Sequence, residues 1–204
     1  MINTNSKKNI KKIFSESINL KSVFIEANIN VLNEMVKIIY NCVCSGNKVM
    51  LCGNGGSASD AQHLAAEMLV RLRPMNNRES LPFISLTMDN STLTACGNDY
   101  GYDMIFERAL EGIGKKNDCL IGISTSGNSQ NIINAMKMAK QKSIKVLGFL
   151  GSGGGKAKQF CDLSMIVPSY VTGRIQEVHI TAGHAILEAV EDKLIQNHKI
   201  NVKE

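Results

Sequence analysis

His63 and Glu67 stand four residues apart in a segment whose apolar residues recur at helical spacing, so an imidazole and a carboxylate face the same way. Much later, Gln176, Ile180 and His184 follow one another at intervals of four and so share one side of a second helix. An imidazole and a carboxylate brought together form an acid and base pair, and His63, Glu67, Gln176 and His184 together could hold a divalent metal such as zinc. The plain alternatives are a surface contact for the first pair and satisfied core histidines for His179 and His184. His198, in a polar tail, is incidental.

A second set of residues reads as an anion site. Ser124-Thr125-Ser126-Gly127-Asn128-Ser129 follows an apolar run and opens a helical pattern, offering hydroxyls and first-turn backbone N–H groups around one point. A phosphate suits such a point, and Gly127 lets the backbone turn closely around it. The bland reading makes Ser129 an N-cap and the rest turn residues. The loop has no lysine, which argues against a nucleotide P-loop. Gly53-Asn54-Gly55-Gly56-Ser57 has a similar design at another strand end; with Ala58 it fits a loose dinucleotide fingerprint, but no acidic residue ends a second strand about 20 positions on. A small phosphorylated ligand between two loops fits better than NAD. Asn98 and Asp99 read first as a turn and second as partners for sugar hydroxyls.

These residues need a scaffold, and the chain's rhythm predicts one. Short apolar runs at 48–52, 83–87, 119–123, 145–150 and 163–167 each end in a small-residue loop. Helical patterns follow, to about Arg71, shortly after Ser91, from about Ser129 to Lys142 and from about Thr172 to Leu194. Runs this continuous imply strands buried on both faces, hence an α/β three-layer sandwich with a five-stranded parallel sheet. Ligands in such folds sit beyond the carboxyl ends of the strands, where all the loops above lie. Before the first strand, a broad apolar helix spans 22–46 with Gly46 as C-cap, and Ile10, Ile13, Phe14 and Ile18 predict a shorter helix ahead of it. One sheet does not cover so wide a face, so a partner helix or a second subunit is expected there. The resulting division is an N-terminal helical extension over 1–21, one domain over 22–194 and a polar tail over 195–204.

Composition closes off other classes. The net charge of +5 is confined to the first 22 residues and the last ten, the body between them is neutral, and Trp is absent, so a basic nucleic-acid surface with stacking aromatics is not expected. No apolar run is long enough for a membrane span, and the start of the chain has no signal-like apolar region, which predicts a cytoplasmic protein. The six cysteines have no paired spacing and read as buried free thiols.

Taken together, the runs Leu-Cys-Gly-Asn-Gly-Gly-Ser-Ala-Ser-Asp-Ala-Gln-His (51–63), Gly-Asn-Asp-Tyr-Gly (97–101), Gly-Ile-Ser-Thr-Ser-Gly-Asn-Ser (122–129) and Arg-Ile-Gln-Glu-Val-His (174–179) resemble the sugar isomerase (SIS) domain and, within it, the phosphoheptose isomerase family. The resemblance extends from about residue 20 to 194. It implies a homotetramer whose N-terminal helices serve oligomerisation. It implies conversion of sedoheptulose 7-phosphate into D-glycero-D-manno-heptose 7-phosphate, a first step toward heptose for lipopolysaccharide or capsule. It also implies substrate contacts from Asn54, Gly55, Gly56, Glu67, Asn98, Asp99, Ser124, Thr125, Ser126, Ser129 and Gln176, and one zinc ion per subunit held by His63, Glu67, Gln176 and His184. Some members carry an acidic residue just before the Arg-Ile-Gln-Glu run, where this chain has Gly173. Glu67 is the expected base and His184 its partner in an enediol mechanism. The rival expectation is a non-catalytic SIS module that binds a sugar phosphate or a protein such as a replication initiator.

Overall fold

A computed structural model describes residues 4–202. Five parallel strands, β1 (Val49–Gly53), β2 (Phe83–Ser85), β3 (Cys119–Ser124), β4 (Lys145–Gly151) and β5 (Leu163–Val167), form one sheet in the order β2-β1-β3-β4-β5. Alternate residues of the strands feed two separate cores, as a pleated strand buried on both faces requires. Val49, Leu51, Ile121, Leu147, Phe149 and Met165 meet α1 (Thr4–Cys44), α2 (Gly56–Leu69) and α6 (Thr172–Gln196) on one face. Met50, Cys52, Leu120, Val146 and Leu150 meet α3 (Asn90–Asp99), α4 (Ile105–Ile113) and α5 (Gln130–Gln141) on the other. The expected three-layer sandwich is therefore present.

The strand order has a functional corollary. From β1 the chain crosses outward to β2 and then returns to place β3 on the other side of β1, so the direction of winding reverses between β1 and β3. Crevices open at such reversals, beyond the carboxyl ends of the two strands. The two loops singled out by sequence follow those two strands.

Several elements differ from expectation. The two N-terminal helices are one, because the residues around 18–22 include neither Gly nor Pro and the helix runs unbroken for 41 residues, about 60 Å. It ends as expected at Gly46, whose φ of 74° sits in a Schellman closure in which Gly46 N–H donates to Val43 and Asn47 N–H to Cys42. Helix α4 was not anticipated. Asn98 and Asp99 close helix α3 instead of forming a turn. All six cysteines are free, but Cys44 is exposed and Cys161 only half-buried. No described helix is long and apolar enough to cross a membrane. The apolar excess of α1 is only partly covered: Phe24, Leu32, Met35 and Ile39 are buried, while Ile10, Phe14, Ile18 and Ile29 remain exposed.

His179 joins α6 to the sheet: fully buried, it donates from Nε2 to the Leu150 carbonyl at 3.1 Å, while its Nδ1 has no partner among the described residues. Burial pulls its pKa down from 6.5 to about 4. The unfolded chain thus takes up this proton first as pH falls, so the full contribution to stability is present above pH 6.5 and is lost down to about pH 4. Urea unfolding should show a loss on the order of 3 kcal/mol across that window, and His179→Gln should flatten it.

Candidate active site

The phosphate loop is a braced turn. Ser124, buried at the end of β3, accepts from the Gly127 N–H at 3.1 Å and shares a 3.4 Å hydrogen bond with Ser129. Ser126 accepts from the Asn128 N–H at 3.1 Å. Ser129 occupies the N-cap position of α5 without making a side-chain cap, so the simple capping alternative for that serine does not hold. A second glycine loop supports this turn from beneath: Ala157 N–H donates to Gly127 O at 2.8 Å and Lys156 N–H to Asn128 Oδ1 at 3.1 Å. Gly127 has a φ of 64°, and a Cβ there would strike the Gly154 carbonyl.

The other glycine loop is tied to this one through two amides. Asn54 Nδ2 donates to Asn131 Oδ1 at 2.8 Å, and Asn131 Nδ2 returns a bond to Asn54 Oδ1 at 2.9 Å. Asn131 is 2% exposed on α5, the helix that the phosphate loop opens, so this pair fixes one loop to the other. Tyr102 adds a third bond, its hydroxyl donating to Asn54 Oδ1 at 2.9 Å. Gly53, Asn54 and Gly55 line a cleft of about 400 Å³ whose far wall carries Gly97 and Tyr102. Asn98 and Asp99 follow Gly97 on α3, exposed and hydrogen-bonded to each other at 2.8 Å.

His63 and Glu67 on α2 meet His184 on α6. The two imidazole Nε2 atoms lie 2.8 Å apart with the rings edge-on, and Glu67 Oε1 is 3.5 Å from His63 Nε2. The helices approach closely beside this cluster, where a Cβ at Gly183 would collide with Leu64. Gln176 sits one level higher, its amide directly over Gly56 at the start of α2. His63, Glu67 and His184 offer ligand atoms that all lie within 4.8 Å of one another. Two imidazole nitrogens and a carboxylate oxygen turned toward one point are a donor set that suits a divalent cation of the zinc type, so these residues fit a metal site.

Three residues beyond the sequence-derived set belong to this region. Asp60 lies one turn before His63; burial pushes its carboxyl above the ordinary range against the pull of His63 and His184, and its Oδ2 has no partner among the described residues. Its i, i+3 relation to His63 was a usable signal. Asn131 and Tyr102 carried none, because their partner Asn54 is distant in sequence.

The SIS domain family is matched over residues 13–151. The chain is 47% identical over 187 residues to the phosphoheptose isomerase of Aquifex aeolicus, covering 92% of this chain and 97% of that one. It is 51% identical over 166 residues to that of Clostridium acetobutylicum, covering 81% and 84%. Among solved structures, that of the phosphoheptose isomerase GmhA from Neisseria gonorrhoeae superposes with a TM-score of 0.85 at 38% identity, covering 91% of this chain and 98% of that chain.

The glycine geometry yields a graded expectation. Gly46→Ala, at a positive φ with open space around it, should cost about 1 kcal/mol in urea unfolding. Gly127→Ala adds a backbone collision to the same strain and should cost on the order of 3 kcal/mol. Equal losses at the two positions would mean that the brace beneath the loop is slack.

Proposed function

The chain belongs to the phosphoheptose isomerase family of SIS-domain proteins, and we propose that it converts sedoheptulose 7-phosphate into D-glycero-D-manno-heptose 7-phosphate for heptose biosynthesis. It is an isomerase acting on a sugar phosphate. The observation that carries the reading is the meeting of His63, Glu67 and His184 beside a glycine loop that is itself tied to the phosphate loop. A non-catalytic binding module is not favoured, since the likeness to isomerases spans nearly the whole chain and the sequence carries His63, Glu67, Gln176 and His184.

In this reading the hydroxyls of Ser124, Thr125, Ser126 and Ser129 and the first-turn N–H groups of α5 bind the phosphate. Its position there directs the carbonyl end of the sugar toward α2 and α6. Asn54, Gly55, Gly56, Asn98, Asp99 and Gln176 hold the chain between. Glu67 takes a proton from C1 of the ketose while the C2 oxygen gains one, giving an enediol. His184 then serves the reverse movements, as C2 gains a proton and the C1 hydroxyl loses one to become the aldehyde oxygen. A zinc ion held by His63, Glu67, Gln176 and His184, one per subunit, would supply stabilisation of the negative charge that develops on these oxygens. The exposed apolar row on α1, Ile10, Phe14, Ile18 and Ile29, supports assembly through this helix, in this reading as a cytoplasmic homotetramer. The domain over 22–194 then carries all the chemistry, with 1–21 serving assembly.

NMR of the purified protein with sedoheptulose 7-phosphate should show aldose formation, with solvent deuterium entering C2. Glu67→Gln should lower kcat about a thousandfold while sugar-phosphate binding persists. Near-normal turnover in that variant would remove Glu67 from its role. Treatment with a chelator should abolish activity and added zinc restore it.

A further inference from the structure

Helices α2 and α6 come from distant parts of the chain and lie side by side in the same direction, meeting at three levels. Gln176 faces Gly56 at the top, His184 faces His63 in the middle, and Glu191 lies at the bottom, seven residues below His184 and therefore on the same side of α6. The bottom contact is indirect. Helix α2 ends at Leu69, and its last carbonyls are collected by the segment that follows. Arg78 Nη2 donates to Glu67 O at 3.0 Å and Nη1 to Met68 O at 2.8 Å, while the hydroxyl of Ser80 bonds Leu69 O. The remaining edge of the Arg78 guanidinium is directed at α6, with Nε donating to Glu191 Oε1 at 2.7 Å.

Both side chains of this pair are fully buried. The second oxygen of Glu191 accepts from Arg73 Nε at 2.7 Å and Asn76 Nδ2 at 2.8 Å, so both oxygens are engaged, and against the penalty of burial these bonds hold the carboxylate in the ionised form. A backbone bridge between Arg78 and Val202 lies alongside. A buried ion pair is a poor device for adding stability but a stringent one for fixing register, since any axial slip would leave two charges unpaired out of water. One of the backbone carbonyls that Arg78 holds is that of Glu67 itself.

We propose that Arg78 is a positioning residue for the isomerase reaction: anchored by Glu191 on α6, it fixes the last turn of α2 so that His63 and Glu67 stand level with His184. The proposal rests on the roles assigned above to Glu67 and His184. Lysine cannot replace the arginine, because one ammonium cannot span Glu191 and the two carbonyls in a planar fork. The phosphate loop, carried by β3 and α5, is not touched by the clamp.

The test compares Arg78→Lys with Lys48→Met, which removes a part-buried ion pair to Asp118 away from the clamp and serves as a stability control. In Arg78→Lys, kcat on sedoheptulose 7-phosphate should fall about tenfold or more with KM within about twofold of wild type. Zinc affinity, read by chelator competition, should weaken about tenfold. Lys48→Met should lower the melting temperature and leave both within about twofold. Should Arg78→Lys fail to fold, Glu191→Gln, which keeps the shape and one acceptor, should show the same pattern in smaller measure. Unchanged kcat and zinc affinity in the clamp variants, or losses no greater than in Lys48→Met, would overturn the proposal. Absence of turnover in the wild-type protein would instead refute the proposed substrate, and zinc affinity would then decide the clamp alone.

Discussion

The cluster of His63, Glu67 and His184 depends on one packing constraint: α2 and α6 must run side by side at close range and at one axial register. Distance is set by Gly183, where any Cβ would press on Leu64, and by His63 Nε2 and His184 Nε2 meeting at 2.8 Å. A shift of a single helical turn, about 5.4 Å, would carry His184 out of reach of Glu67. Every other feature of the site can be seen as serving this alignment. The sheet gives both helices a common floor, since residues of both pack on the core face formed by Leu51, Ile121 and Phe149. His179 fastens α6 to β4 through Leu150, the residue paired with Ser124 in the neighbouring strand. The helix that carries His184 is thus anchored beside the strand that ends in the phosphate loop.

The two halves of the site obey different physics. The half built on residues 124–129 is a turn running into a helix start: serine and threonine hydroxyls, backbone N–H groups, and a glycine that allows close approach. Its shape is held by its neighbours, Gly154 and Ala157 below and Asn54 beside it through Asn131. The half formed by His63, Glu67 and His184 is made of side chains on two helices, which hold functional groups more tightly than a loop can. A phosphate tolerates small displacements because its charge is spread over several oxygens, whereas proton transfer requires hydrogen-bond distances.

This division also explains what could be read in the sequence. The strands were visible because Val49–Gly53, Cys119–Ser124 and Lys145–Gly151 are apolar runs bounded by small residues. The phosphate loop and the His63 and Glu67 pair were visible because each is local. That His184 joins the pair followed from a family resemblance and from periodicity on its own helix. Features that rest on contacts between distant segments were not visible: Asn131 hydrogen-bonded to Asn54, and Arg78 reaching Glu191 across a separation of 113. The fusion of the first two expected helices was missed for a different reason. The apolar face shifts between Ile18 and Phe24, which looks like a boundary, yet nothing in that stretch breaks a helix.

The separation of 121 positions between His63 and His184 bears on when the cluster comes into being. A chain that had assembled only β1 and α2 would already display His63 and Glu67, but one imidazole and one carboxylate make a feeble cation trap. The full set arises only when α6 has crossed the sheet and docked. Convergence of His63, Glu67 and His184 is therefore a property of the finished tertiary structure. The cluster is thus tied to long-range topology and exists only with both helices in place at once.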